Sequence, residues 1–404
     1  MSSSKPTLSR AVERRCLTNS TGPLPPSQDP FYTAPPAFET MKPGTVLRIR
    51  SVPGNLTSVI GNCSAAYHIL YRTTNALFQP SWAVTTLYIP EHSAGKSLLS
   101  YQYPYNSPDL DHSPSYDFYF EPSGDVGEAL GLGLYVSVPD HEGPLAADGA
   151  TLGQGLATLD SVRAVLSIGF GLSSNARYAM WGYSGGALAS EWAAELQEQY
   201  APELNFSGTA LGGTPPNITN VWDSVNGTPF AGMIALASIG VTQQFPDAHK
   251  YLISQLKPEG EYNRTTYMSA AKMGAYEGFA TFAGQDMWDY FINGRAVLGA
   301  PVIQRVLDDN FYMSYHGVPK MQLFMYHAIH DQVARIELTD NLVARYCGVH
   351  TNIHYERNTI GDHVGEMTNG QPRALAWLSG VLDGTNTASS SGCTIMNVTV
   401  GESS

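Results

Sequence analysis

Hydrophobic positions are sparse over the first 40 residues, then appear in short strand-like runs, alternate with helical segments, turn wholly helical, and finally alternate again. Residues 1–40 are rich in Ser and Pro, with Pro23, Pro25, Pro26, Pro30, Pro35 and Pro36, and read as an extended N-terminal arm. Runs at 46–52, 67–72, 83–89 and 98–103, bounded by Gly, Pro, Asn or Ser, read as strands. From Leu134 the pattern is strand (134–138), helix (156–167), strand (177–181), helix (187–200), strand (208–211). Such alternation predicts βαβ units and a mostly parallel sheet with helices on both faces, an α/β fold.

Between 215 and 319 the apolar spacing is helical, as at 230–239 and 249–256, and Trp222, Trp288, Tyr290 and Phe291 cluster there. This stretch reads as a helical cap or lid inserted into the core. Strands resume at 321–326 and 351–355, followed by a helix over 371–382. The expected organisation is an arm (1–40), a first core part (41–214), the cap (215–319), and a second core part with a C-terminal tail (320–404).

Composition narrows the function. Of the 404 residues, 43% are hydrophobic and only 14% charged, with a net charge of −13. A phosphate-binding surface needs positive charge, which argues against nucleic acid as a partner. No window reaches the ~20 apolar residues that span a bilayer. Eight sequons (Asn19, Asn55, Asn62, Asn205, Asn217, Asn226, Asn263, Asn397) are candidate glycosylation sites, where chance gives about three. That density favours secretion. Residues 1–16 hold no apolar run of signal-peptide length, so secretion expects a leader already removed. The four cysteines, Cys16, Cys63, Cys347 and Cys393, are too scattered for a zinc site, and an even count suggests two disulfides. Three pairings are open, of which Cys16–Cys63 with Cys347–Cys393 closes the shorter loops.

The chemistry centres on Gly182-Tyr183-Ser184-Gly185-Gly186, a G-x-S-x-G between a predicted strand and a predicted helix. A serine on that sharp turn projects its hydroxyl above the sheet, and the next N–H, from Gly185, can receive an anionic oxygen. Ser Oγ needs a base and an orienting acid, which on such a sheet follow in the order acid, then His. His363, in a loop between the last strand and last helix, fills the base position; His350 and His354 lie before or within the strand. Asp331 follows the 321–326 strand. Its rivals are Asp340, within a helix, and Asp362, adjacent to His363 and badly placed to orient it. His327-x-x-His330 offers two metal ligands without a third, and Asp140-His141-Glu142-Gly143 lacks the second His of H-E-x-x-H, position 145 being Leu. The latter reads as a hydrogen-bonded loop. No metal or cofactor is expected.

The chain resembles the fungal secretory lipases. The resemblance rests on Asp29-Pro30-Phe31-Tyr32, Tyr71-Arg72-Thr73-Thr74-Asn75, Ser100-Tyr101-Gln102, Pro114-Ser115-Tyr116, Asp140-His141-Glu142-Gly143, Gly182 to Ala187, Tyr200-Ala201-Pro202-Glu203-Leu204-Asn205 and Gly212-Gly213-Thr214-Pro215. It implies an α/β-hydrolase core with a helical lid, a triad on Ser184, Asp331 and His363, a disulfide between Cys347 and Cys393, and hydrolysis of acylglycerols or other apolar carboxylic esters. Two departures stand out. The family's second oxyanion-hole donor is an Asp, which here is Asn106, so a shift in substrate scope is expected. The sequence also ends soon after Cys393, and a shortened C-terminal flap is expected to open the pocket. The expected function is that of a secreted serine ester hydrolase working through an acyl-enzyme, with a lipid or small-molecule ester as substrate and transient lipid contact through the cap. The alternative is a specialised esterase, deacetylase or acyltransferase acting on a short-chain ester of a fungal secondary metabolite.

Overall fold

The computed structural model describes residues 22–385 and 392–401. Ten strands are found among them: β1 (Val46–Ser51), β2 (Cys63–Thr74), β3 (Pro80–Pro90), β4 (Ser97–Gln102), β5 (Tyr135–Pro139), β6 (Arg177–Tyr183), β7 (Gly208–Gly212), β8 (Leu323–Ala328), β9 (Ile353–Asn358) and β10 (Cys393–Val398). They form one sheet in the order β1-β2-β3-β5-β4-β6-β7-β8-β9-β10. β1, β2 and β3 pair antiparallel, as do β3 and β5, and every pairing from β5 through to β10 is parallel. The β2–β3 turn is held by Asn75, whose Oδ1 accepts from the N–H groups of Leu77 and Gln79, both at 2.9 Å.

Strand side chains alternate between two apolar layers, as a period of two requires. Met180, Leu211 and Met325 face the layer built by α2 (Thr151–Ile168) and α3 (Gly185–Tyr200). Ala179, Trp181, Ala210, Phe324 and Tyr326 face the other, built by α1 (Gly124–Gly131) and α10 (His363–Asp383). Burial on both faces explains why β6 and β7 read as continuous apolar runs. Between β7 and β8 the chain forms a block of helices: α4 (Ile218–Val225), α5 (Gly232–Gln243), α6 (Pro246–Gln255), α7 (Ala275–Phe282) and α8 (Pro301–Asn310), with shorter turns. After β8 comes α9 (Ile336–Gly348).

Four expectations change. The last helix begins at His363, well before residue 371, and His363 therefore opens a helix instead of sitting in a loop. Gly365, Gly370 and Pro372 argue locally against a helix, but Ala374, Leu375, Leu378, Val381 and Leu382 pack it onto the sheet, and a side chain at 370 would collide with the Tyr326 ring. β10 was not expected; it pairs in parallel with β9, Cys393 opposite Ile353. The disulfide Cys347–Cys393 ties it to the end of α9 across 46 residues, a closure worth about 4 kcal/mol in the chain-entropy account. Cys63 is a buried free thiol whose Sγ donates to the Ala65 carbonyl, while its expected partner Cys16 lies outside the described residues. Finally, the described part of the arm is not extended. It folds into three short turns that pack on the sheet through buried Tyr32, the Arg50–Asp29 ion pair at 2.6 Å, and Trp82 Nε1 donating to the Tyr32 carbonyl at 2.7 Å.

Candidate active site

Ser184 sits between the end of β6 and the start of α3 with φ 51° and ψ −118°, a left-handed conformation costly for a residue with a side chain. The turn closes only because its neighbours are glycines. A Cβ on Gly182 would run into the Gly186 carbonyl, and one on Gly186 into that of Gln102. The strain is sustained by the packed ends of β6 and α3, and it lifts Oγ above the C-terminal edge of the parallel strands.

Three separate connections converge there. His363 Nε2 lies 2.9 Å from Ser184 Oγ, and its Nδ1 lies 2.6 Å from Asp331 Oδ2. An ionised carboxylate only accepts, so Nδ1 carries the proton and Nε2 presents its lone pair to the serine hydroxyl. Asp331 Oδ1 accepts from the N–H groups of Val333 at 2.9 Å and Ala334 at 2.7 Å. Burial alone would raise the Asp331 carboxyl; hydrogen bonds from His327 and His363, with their charges, outweigh it and hold the group well below its usual range. The imidazole is fixed at the helix start. His363 N–H donates to Gln332 Oε1 at 3.0 Å, Tyr183 OH donates to the His363 carbonyl at 2.6 Å, and Asp362 caps the helix by accepting from Gly365 N–H.

The rivals are elsewhere. Asp340 accepts from Tyr355 OH and pairs with Arg357; His350 and His330 are exposed; His354 pairs with Glu356. His327 is fully buried beneath Asp331, with Nε2 2.7 Å from the Ala334 carbonyl and 3.2 Å from Asp331 Oδ2. It thus supports the acid, a role sequence reasoning missed. The only local signal was its position four residues before Asp331. Among the described residues no group of three His, Cys, Asp or Glu is placed to hold a metal ion.

Gly185 and Asn106, the two expected oxyanion donors, lie side by side next to Ser184. Gly185 opens α3, where N–H groups lack helical partners. Asn106 has φ 44°, and its amide lies so close that a Cβ on Gly185 would collide with Oδ1. The Asn106 loop is clamped from below by the loop after β5: His141 Nε2 lies 3.1 Å from the Tyr103 carbonyl, and Glu142 N–H donates to Tyr105 OH at 2.7 Å. Burial pushes His141 down to about 4. Burial and the Asp148 charge raise the Glu142 carboxyl well above its usual range, opposed by the N–H groups of Ser107 and Asn106. Asp148, raised to about 7 by burial, lines a pocket of about 60 Å³ together with Ser184, Gly185, Asn106, Trp222, Met233 and Val333.

Of the described sequons, Asn55, Asn62, Asn205 and Asn397 are exposed. Asn62 Nδ2 donates to the Gly127 carbonyl, Asn217 and Asn263 cap helices, and Asn226 Nδ2 donates to Asp286. Asn19 lies outside the described residues.

Residues 125–390 match the family model described as secretory lipase. The chain belongs to the secretory lipase family. It is 49% identical to the trichothecene C-3 esterase of Fusarium sporotrichioides, over 94% of this chain and 89% of that one. It is 36% identical to lipase A of Arthroderma benhamiae, over 90% and 81%. Its structure superposes on the X-ray structure of Candida antarctica lipase A with a TM-score of 0.84 at 28% identity, covering 94% and 91%. The fold is therefore the α/β-hydrolase fold, and this member of the secretory lipases is a carboxylic ester hydrolase. Among the described residues no helix is long and apolar enough to cross a membrane.

Proposed function

We propose that this secretory lipase homologue hydrolyses its ester through an acyl-enzyme on Ser184, and the observation that carries this is His363 Nε2 at 2.9 Å from Oγ with Nδ1 on Asp331. Oγ attacks the ester carbonyl while Nε2 takes its proton. The tetrahedral oxyanion receives the N–H of Gly185 and donors on Asn106, each worth about 3 kcal/mol in comparable sites. The imidazolium formed is stabilised by Asp331 and passes its proton to the leaving alcohol. Water then repeats the steps on the acyl-enzyme.

The substrate we favour is an ester of a trichothecene-type alcohol. The support is the 49% identity to a trichothecene C-3 esterase, together with 42% identity, over 94% of this chain, to a probable trichothecene esterase of Stachybotrys chartarum. Acylglycerol hydrolysis is the second reading, favoured by the lipase relatives. In either, residues 215–319 act as a cap over Ser184, and exposed Val364 and Met367, on the first turn of α10, would meet a lipid or apolar substrate. Secretion is supported by the family and by the exposed sequons Asn55, Asn205 and Asn397. Incubation with a C-3 trichothecene ester and with an emulsified triacylglycerol separates the two readings. Ser184→Ala is expected to lower kcat by several orders of magnitude with the fold intact, and a fluorophosphonate to label wild type at Ser184. Turnover at the wild-type rate in Ser184→Ala would remove the proposal.

A further inference from the structure

The pocket beside Ser184 has an apolar side formed by Ile218, Val221, Trp222, Met233 and Leu236. Within that side Trp222 is buried to 2% exposure. Trp222 is the one residue shared with the lining of a second cavity of about 20 Å³ inside the helical insertion, walled also by Ile234, Leu252, Tyr267, Phe291 and Val306. Its few polar atoms are already used: Ser238 Oγ lies 2.7 Å from Tyr267 OH, and Thr242 Oγ1 donates to the Ser238 carbonyl at 2.7 Å. The space is therefore apolar.

Nothing about Trp222 is arranged to swing. Its ring packs edge-on against Phe311 at 5.1 Å and near Trp288 at 6.4 Å. The helix that carries it is held on both sides, Asp223 by a two-pronged pair with Arg295 at 2.7 and 2.8 Å and Ser224 by Arg335 Nε at 3.0 Å. Asn217 caps its start. A tightly packed ring on an anchored helix is a fixed wall.

The chemistry assigns the two sides of the pocket. The alcohol half of an ester leaves first and must reach solvent, whereas the acyl half stays on the serine until water arrives. The buried, apolar side at Trp222 is thus the acyl side. We infer that Trp222 is the specificity-determining partition of this site: it stops the acyl pocket short, restricts the enzyme to short acyl groups, and seals off space that a longer chain would otherwise enter. This rests on the proposed acyl-enzyme at Ser184.

The test is kcat/KM for p-nitrophenyl acetate, butyrate, octanoate and decanoate with wild type, Trp222→Ala and Trp222→Phe, beside calorimetric titration of each protein with decanoate. Wild type is expected to fall off beyond butyrate. Trp222→Ala is expected to raise the octanoate-to-acetate ratio by at least about tenfold, since each methylene taken into an apolar pocket is worth that much, and to bind decanoate where wild type does not. Trp222→Phe moves the same way by less and serves if the alanine variant does not fold. Trp288→Ala enlarges the far cavity with the partition intact and leaves the ratio at the wild-type value. A folded Trp222 variant with the wild-type chain-length profile and no decanoate binding overturns the inference while short esters are still turned over. If no protein hydrolyses any ester and fluorophosphonate leaves Ser184 unlabelled, the acyl-enzyme reading fails, and decanoate binding still decides the partition.

Discussion

Two sets of buried carboxyls flank Ser184 and behave oppositely. Asp331 is buried but supplied with donors from Val333, Ala334, His363 and His327, and it is held ionised. Asp148 and Glu142, near Asn106, are as deeply buried but have fewer donors, the N–H of Gly149 for Asp148 and those of Ser107 and Asn106 for Glu142, whose Oε2 has no partner; burial outweighs them and raises both groups, Asp148 to about 7. The lesson is that donor supply, more than depth, decides which buried acid carries charge. An ionised acid is needed where an imidazolium forms. Beside the proposed oxyanion a second negative charge would oppose catalysis, and burial there shifts both acids toward the neutral form.

The comparison breaks most sharply at Asp331→Asn. The amide imposes the wrong tautomer on His363, and kcat should fall by about 10⁴ with little change in structure, read by steady-state kinetics and circular dichroism. Next comes His327→Ala, which removes a donor to Asp331 and leaves a buried void; a stability loss of about 3 kcal/mol is expected from denaturant unfolding. The smallest effect is on the opposite side. Asp148 has a folded value of about 7 against an ordinary 3.8, so the folded state holds the proton more tightly. Its contribution is fully present below about pH 4 and is lost as pH rises through about 7. Asp148→Asn, which cannot ionise, should therefore be more stable than wild type at pH 8 and equal to it near pH 4. Equal melting temperatures at both pH values would show that burial does not hold the proton on Asp148.

Much of this was legible in the sequence. The strand-helix alternation located the sheet, and the five-residue turn at Ser184, with the order acid then His, named Asp331 and His363, which the fold brings into contact. Those signals are local, carried by periodicity and by glycines the turn cannot do without. The signals that failed were overridden at a distance: three helix-breaking residues near 370 were outvoted by packing on Tyr326, and β10 forms only because a bonded cysteine and β9 receive it.

The amino-acid sequence by itself determined the turn at Ser184, because a serine elbow needs its small neighbours within a few bonds. Only the tertiary structure decided the placement of His327 under Asp331, the opposite pKa shifts on either side of Ser184, and the place of Trp222 in the linings of two cavities. These depend on which groups from distant segments share one dry volume, and chain order does not encode that distance.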